Sequence, residues 1–257
     1  MPDSCRVCGA TSLHIIAERI RGGMEAPVRR CDACGVAMLP DAFFEAEESV
    51  EQYKGAYAYQ PTAENERPGM NNPYFRKAER VARYTDPAST DLIEIGAAQG
   101  NFIRWIQSRV RSVTGLELNP TQADYCARTY GIDMLSTPVE ELDMPGLFDM
   151  AVLIQVLEHV PEPIRFLQAL KRLLPPGGLV YADVPNILQP ILSVYAVEAH
   201  REFYFRKTHL LYHTMKSFVL LFEQAGFEVV AQLHEQDCSL SNHFHWALVG
   251  EPQETIQ

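Results

Sequence analysis

One short stretch of the chain has the residue types that could bind a nucleotide. Glycines at positions 96 and 100 follow the apolar run 92–95 and precede apolar residues at helical spacing. A strand, a glycine turn and a helix in this order bring backbone close to a ligand, because glycine accepts backbone angles that other residues avoid. The pattern by itself also fits an ordinary strand-to-helix turn. It differs from the dinucleotide fingerprint, since position 98 is alanine.

An acidic residue further along supports the nucleotide interpretation. Glu117 lies near the end of the next predicted strand, 112–118. It follows the glycines by about twenty positions, where a carboxylate can accept hydrogen bonds from a ribose diol. The glycine turn and Glu117 together predict a site for an adenosine-type ligand.

Four of the six cysteines form a second chemical pattern. They occur as two Cys-x-x-Cys-Gly knuckles, formed by Cys5 with Cys8 and by Cys31 with Cys34. Two such knuckles with this spacing predict a four-thiolate zinc ribbon, and the intervening residues 13–17 are strand-like. Two disulfides or two redox-active pairs are the alternative. The predicted Zn²⁺ is structural, because four thiolates leave no open position for a water or a substrate.

Composition limits the possible partners and suggests a division into domains. The chain has 22 basic and 33 acidic residues, a net charge of −11, which argues against a broad nucleic-acid-binding surface. No apolar run is long enough to span a membrane and no signal peptide is recognisable, so we expect a cytoplasmic protein with no membrane partner. We predict a ribbon at 1–40, a helical linker or lid at 41–73, and a main domain at 74–257.

The order and spacing of several motifs resemble class I S-adenosylmethionine-dependent methyltransferases with an N-terminal zinc ribbon. The matching segments are Glu94-Ile95-Gly96-Ala97-Ala98-Gln99-Gly100, Glu117, Phe148 to Val160, Leu174 to Val180 and Ala225 to Val229. The resemblance implies S-adenosylmethionine (SAM) as cofactor. It also implies an α/β fold with a Rossmann-like, seven-stranded, mostly parallel sheet whose last strand is antiparallel. The last two strands are expected at 226–231 and 243–249.

The resemblance carries a set of cofactor-binding positions onto this sequence. They are Glu94, Gly96, Ala97, Gly100, Glu117, Leu118, Val139 and Gln155. Gln155 ends an apolar run, where open α/β sheets place ligands, and it would lie near the methionine part of SAM. A polar strand end that faces solvent is the alternative for Gln155. In the family, an acidic or polar residue just after the strand expected here at 132–135 receives the adenine amino group. In this sequence no carboxylate follows that strand until Glu140, so adenine recognition could rest on the backbone at Val139.

Residues 187–216 form an insertion at the place where such enzymes commonly build their substrate specificity. This segment, which we call the cap, is followed by a predicted helix at 215–226. The candidate substrate-binding residues are Asn186, His200, Tyr204 and, from a tyrosine-rich stretch, Tyr57. The histidines His209 and His159, in that order, are the candidate general bases, since an unperturbed histidine titrates near neutral pH. The alternative for His209 is a buried histidine bonded to backbone.

Three functions remain open at this point. The first is methyl transfer to a small molecule, such as a sugar or another natural-product intermediate. The second is methylation of rRNA or tRNA, with the ribbon gripping the RNA, although basic clusters are sparse. The third is a cofactor-binding scaffold without activity. The acceptor atom and the oligomeric state are not defined by the sequence.

Overall fold

The computed structural model describes residues 4–47, 72–193 and 198–235. In chain order the strands are β1 (Leu13–Ile20), β2 (Met24–Cys31), β3 (Ala37–Met38), β4 (Asp91–Ile95), β5 (Ser112–Leu116), β6 (Asp133–Leu135), β7 (Met150–Ile154), β8 (Leu179–Asp183) and β9 (Leu211–Tyr212). The helices are α1 (Asp41–Glu47), α2 (Pro73–Val81), α3 (Ile103–Ile106), α4 (Pro120–Tyr130), α5 (Pro163–Arg172), α6 (Pro190–Ser193), α7 (Glu198–Tyr204) and α8 (Met215–Gln224). Short 3₁₀ turns span Ala82–Tyr84, Gln107–Arg109, Val139–Glu141 and Leu157–His159.

The chain forms two compact units that do not follow the order of the sequence. The first, which we call the ribbon unit, comprises Met1–Glu48, Leu157–Ile164 and Val184–Gln257. The second, the sheet unit, comprises Ser49–Val156 and Arg165–Asp183. The ribbon therefore belongs to the same unit as the cap, a grouping that the sequence did not predict.

The sheet unit is built on five parallel strands in the order β6-β5-β4-β7-β8. The central strands β4 and β7 are almost entirely buried, as expected for parallel strands covered on both faces. The chain runs from β4 through β5 to β6 on one side of the sheet and from β7 to β8 on the other. The switch point therefore lies between β4 and β7, and α/β sheets bind ligands at such a point. The apolar core includes Phe102, Ile103 and Ile106, which follow the glycine turn.

Local sequence signals explain the helices of the sheet unit. The side chain of Asn119 caps α4 by accepting hydrogen bonds from the backbone N–H groups of Thr121 and Gln122, and Pro120 occupies the first turn. Asn72 caps α2 in the same way. The helix predicted after the glycine turn is short, since α3 ends at Ile106 and continues as a 3₁₀ turn.

The ribbon unit contains an antiparallel sheet in the order β1-β2-β3-β9. The strands β1 and β2 form a hairpin whose turn includes Gly22 and Gly23, both with positive φ. The cap strand β9 pairs with β3, so that Ala37 lies opposite Tyr212 and Met38 opposite Leu211. The cap thus extends the ribbon's own sheet.

The described residues contain five of the seven strands expected for the main sheet. The segment 227–235 forms no strand, and Val230 and Leu233 are largely exposed there. The expected last strand, 243–249, and most of the predicted 41–73 linker lie outside the described residues. Among the residues the structure describes, no helix is both long enough and apolar enough to cross a membrane.

Candidate functional site

The glycine turn between β4 and α3 has the backbone conformation that a close-approach loop requires. Gly96 has a φ of 71°, and a Cβ at that position would lie 2.8 Å from Cγ2 of Val156. Ala98, which stands where the dinucleotide fingerprint has a glycine, also has a positive φ of 46°. Positive φ is unfavourable for alanine and is typical of functional loops. Position 96 therefore has no room for a side chain.

The carboxylate of Glu117 holds this loop in place. Its Oε2 accepts a hydrogen bond of 2.9 Å from the backbone N–H of Ala98, and its Oε1 accepts one of 2.8 Å from Asn119. Each carboxylate oxygen can accept a second hydrogen bond, so Glu117 can still receive hydroxyl groups. Burial raises the pKa of Glu117, and the backbone N–H donors oppose that rise. Glu117 can thus both shape the loop and bind a diol.

Glu94 is the buried acid of the site. It is only 3% exposed, and its Oε2 has no hydrogen-bond partner among the described residues. Burial, with a smaller contribution from the charge of Glu117, raises the pKa of Glu94 well above its ordinary value. An unpaired buried carboxyl oxygen is costly unless a ligand satisfies it. A cationic ligand with N–H donors, such as the methionine part of SAM, fits this requirement.

Polar side chains at the carboxyl ends of β7 and β8 contact each other and a lysine of α2. Gln155 has a positive φ of 57°, and its Nε2 donates a hydrogen bond of 3.0 Å to Oδ1 of Asp183. The Nζ of Lys77, a buried residue of α2, lies 3.0 Å from Oδ2 of the same carboxylate. Gln155 is thereby fixed at the strand end where a ligand is expected. Lys77 was not predicted from the sequence, because nothing in the local pattern of α2 distinguishes it.

The remaining predicted cofactor positions also belong to the sheet unit. Ala97 and Gly100 are buried in the glycine turn, and Leu118 directly follows Glu117. Val139 is buried at the start of a 3₁₀ turn that follows β6. The roles of these residues in binding SAM stay predictions.

The four paired cysteines come together in the ribbon unit. Cys5 Sγ lies 3.6 Å from Cys34 Sγ, and Cys8 Sγ lies 3.5 Å from Cys31 Sγ. All four sulfurs lie within 4.8 Å of one another. The Cys34 thiol, and then the backbone N–H groups of Cys8 and Val7, lower the pKa of Cys5 to about 5. Four sulfurs this close together could hold one metal ion.

The two candidate bases lie next to each other in the ribbon unit. The rings of His159 and His209 meet edge to face with their centroids 4.8 Å apart. Burial lowers the pKa of His159 to about 4 and that of His209 to about 2. Both imidazoles are therefore neutral at physiological pH, and both are weak bases in this structure.

Of the predicted substrate-binding residues, three are described by the structure. Asn186 Nδ2 lies 3.0 Å from His234 Nδ1, and Asn186 also forms a β-bridge with His213. His200 and Tyr204 are both buried residues of α7, and the centroids of their rings lie 6.1 Å apart. Burial raises the pKa of Tyr204 far above its usual range. Tyr57 lies outside the described residues, and substrate binding by the other three stays a prediction.

The ribbon is joined to the cap by contacts that the sequence did not reveal. The Thr214 hydroxyl donates a hydrogen bond of 2.9 Å to the carbonyl of Cys34 and also caps α8 by accepting from the N–H of Ser217. The Nζ of Lys216 donates to the carbonyl of Ala33 at 2.6 Å. Arg21, in the β1–β2 turn, donates to the carbonyl of Phe203 and stacks over its ring. Only long-range pairing brings these residues together, so no local motif could have indicated them.

A parallel α/β sheet with a glycine turn after β4 and acidic residues in β4 and after β5 is typical of nucleotide-binding proteins of the Rossmann-like class. A family model described as "Methyltransferase domain" matches residues 65–232, and the chain belongs to this family. The methyltransferase part of the resemblance seen in the sequence is thus confirmed, and the zinc ribbon stays a prediction.

Individual relatives agree with this family. The chain is 30% identical over 107 residues to a ubiquinone biosynthesis O-methyltransferase of Pseudomonas aeruginosa strain LESB58. The matched region covers 38% of this chain and 46% of that protein. It is 27% identical over 171 residues to the protein of the same name from Xanthomonas oryzae pv. oryzae, covering 63% and 70%. A SAM-dependent methyltransferase from Leishmania major shares the fold, with a TM-score of 0.53, 14% identity, and coverage of 74% and 75%. The chain spans about half the length of the first relative.

Proposed function

We propose that this protein transfers the methyl group of SAM to a small-molecule acceptor, such as a sugar or another natural-product intermediate. The observation that carries the proposal is the buried carboxyl of Glu94 beside the glycine turn. Its Oε2 has no hydrogen-bond partner among the described residues and could accept a donor of a small cationic nucleoside. The matched relatives are named as O-methyltransferases of ubiquinone biosynthesis, so acceptors with a hydroxyl group are the first to test. The net charge of −11 supports a small acceptor over RNA.

The side chains of the sheet unit would bind the cofactor through complementary charge. When bound, SAM supplies the reactive methyl group on its sulfonium. Glu94 would accept N–H donors of the methionine part, and Glu117 would accept the ribose hydroxyls with the lone pairs that the backbone leaves free. Gln155, held by Asp183, would fix the methionine end. These residues align the ligand, and alignment with exclusion of water supplies most of the rate enhancement in a displacement of this kind.

A general base is a separate part of the proposal. His209 remains the first candidate and His159 the second, and a base would contribute about 10²–10⁴-fold for a hydroxyl acceptor. Their lowered pKa values, about 2 and about 4, make both imidazoles poor proton acceptors as long as they stay buried. Methyl transfer that depends on either histidine would therefore require the ring to gain access to the acceptor.

We also propose that the four clustered cysteines hold a structural Zn²⁺. The proposal is supported by the close approach of the four sulfurs and by the two Cys-x-x-Cys-Gly knuckles. Strand β1 fully buries only Ile20, so metal binding would supply much of the ribbon's folding free energy. The ribbon's pairing with the cap through β3 and β9 supports a structural role, since that edge of its sheet is occupied by the chain itself.

The experiment is a methyl-transfer screen with labelled SAM. Metal-replete protein is incubated with phenolic, sugar and other small hydroxyl acceptors and, in parallel, with rRNA and tRNA. The proposal expects label in at least one small acceptor and none in RNA. Label in RNA, at a rate that falls steeply with added salt, would instead support the RNA-modifying alternative.

A further inference from the structure

One carboxylate and two imidazoles converge inside the ribbon unit, apart from the cysteines. Glu158, His159 and His209 each offer a possible ligand atom, and these three atoms all lie within 4.8 Å of one another. Glu158 is 1% exposed and His209 is 7% exposed. Imidazole nitrogen and carboxylate oxygen are both ligands of divalent transition-metal ions. The cluster therefore has the ligand types and the spacing that such an ion could use.

A hydrogen bond to the backbone sets the tautomer of His159. His159 Nδ1 lies 2.6 Å from the carbonyl oxygen of Thr208, and a carbonyl can only accept, so Nδ1 carries the hydrogen. The neutral ring then keeps its lone pair on Nε2, which lies 4.0 Å from Glu158 Oε1. A ring N–H donated to a backbone carbonyl is also the arrangement that orients histidine ligands of metals.

His209 provides the third group. Its Nδ1 is buried and has no hydrogen-bond partner among the residues that the structure describes. An imidazole nitrogen left in this state is unfavourable, and a metal ion would satisfy it. The backbone brings the cluster together, because the N–H of Leu210 donates a hydrogen bond of 2.7 Å to the carbonyl of Glu158.

We propose that Glu158, His159 and His209 form a second metal site that binds a divalent transition-metal ion such as Zn²⁺ or Fe²⁺. Imidazole ligands favour these ions over Mg²⁺ and Ca²⁺, and two histidines with one carboxylate leave a coordination position open. Metal–ligand distances of about 2.0–2.2 Å require the three side chains to draw together when the ion binds. A bound ion would occupy the histidine lone pairs, so His209 could act as the general base of the proposed function only in protein whose second site holds no metal.

The test uses Co²⁺ as a spectroscopic probe with the full-length chain. Metal-free protein is titrated with cobalt chloride while absorbance and total bound cobalt are followed. A thiolate site gives an intense sulfur-to-cobalt charge-transfer band, and a site of nitrogen and oxygen ligands does not. The proposal expects two equivalents of bound cobalt per chain, of which only one contributes the charge-transfer band.

Two variants assign the second equivalent. His209→Gln and Glu158→Gln should each bind one equivalent and keep the charge-transfer band, with circular dichroism confirming the fold. His14→Gln is the matched control, since His14 is exposed and lies outside the cluster, and it should bind two. Saturation of folded wild-type protein at one equivalent would overturn the proposal. So would two equivalents in both cluster variants, or displacement of the second cobalt by equimolar Mg²⁺.

Discussion

The buried acid Glu94 gives the sharpest prediction about the sheet unit. Its folded-state pKa is raised above the value of 4.5 that it has when unfolded. The protonated acid therefore contributes stability that is complete below pH 4.5 and is lost as pH rises through the folded pKa. In that window the free energy of unfolding should fall by about 1.4 kcal/mol per pH unit from this residue alone. Glu94→Gln removes this loss, because glutamine resembles the protonated acid in shape and cannot ionise.

The same substitution should weaken SAM binding. If Glu94 accepts N–H donors of the bound cofactor as a carboxylate, glutamine replaces a charge-assisted hydrogen bond with a neutral one. Hydrogen bonds to charged groups contribute about 1.5–3 kcal/mol and neutral ones about 0.5–1.5 kcal/mol, so the difference of about 1–1.5 kcal/mol should raise the dissociation constant by roughly 5- to 10-fold. Glu94→Gln is thus expected to be more stable at high pH and to bind the cofactor less tightly.

Urea denaturation at several pH values between 5 and 9 measures the first effect, and isothermal titration calorimetry with SAM measures the second. The difference between the wild-type and variant stability curves isolates Glu94 from the other titrating groups. Glu141→Gln is the matched control, since Glu141 is exposed in a 3₁₀ turn, and it should change neither quantity. Parallel stability curves together with unchanged SAM affinity in Glu94→Gln would refute the reasoning.

Three further predictions concern the loop, the buried ion pair and the ribbon–cap contact. Gly96→Ala should lose about 1–2 kcal/mol of stability, because its φ is positive and its Cβ would meet Val156. The affinity of Gly96→Ala for SAM should also fall. Scanning calorimetry would measure the loss of stability and titration calorimetry the loss of affinity. Lys77→Met should cost about 3 kcal/mol in urea denaturation, because it leaves the Asp183 carboxylate without its ion-pair partner. The double variant Lys77→Met/Asp183→Asn should recover most of that loss, and failure to recover would argue against a coupled pair. Thr214→Val should cost about 1 kcal/mol of stability, because it loses the α8 cap and the hydrogen bond to Cys34. Thr214→Ser should retain both contacts. Equal thermal stability of the two variants would contradict this prediction.

Much of the sheet unit could be predicted from the sequence because its signals are local. The Asn119-Pro120 pair predicted the start of α4, and the apolar runs predicted β4 and β7. The glycine turn and Glu117 were expected to cooperate, and the structure joins them by a hydrogen bond from Ala98. The pattern could not show that Glu117 already binds the backbone, since such a contact depends on how β4 and β5 align.

The ribbon unit could be predicted only in part. The cysteine spacing indicated that four sulfurs would meet, and they do. The pairing of β3 with β9 joins residues about 170 positions apart, and a two-residue strand has no periodicity to recognise. The proximity of Glu158 to His209 depends on that same long-range arrangement. Histidine identity suggested chemistry at position 209, and only burial showed how strongly its basicity is reduced.

The most direct test of the account is calorimetric titration of metal-replete protein with SAM, compared with the demethylated product S-adenosylhomocysteine. We expect saturable one-site binding of both compounds by the wild-type chain and substantially weaker binding by Glu94→Gln, with the fold of the variant intact. Absence of any binding heat, with no change in thermal stability at millimolar ligand, would contradict the assignment of this loop and its two carboxylates as the cofactor site.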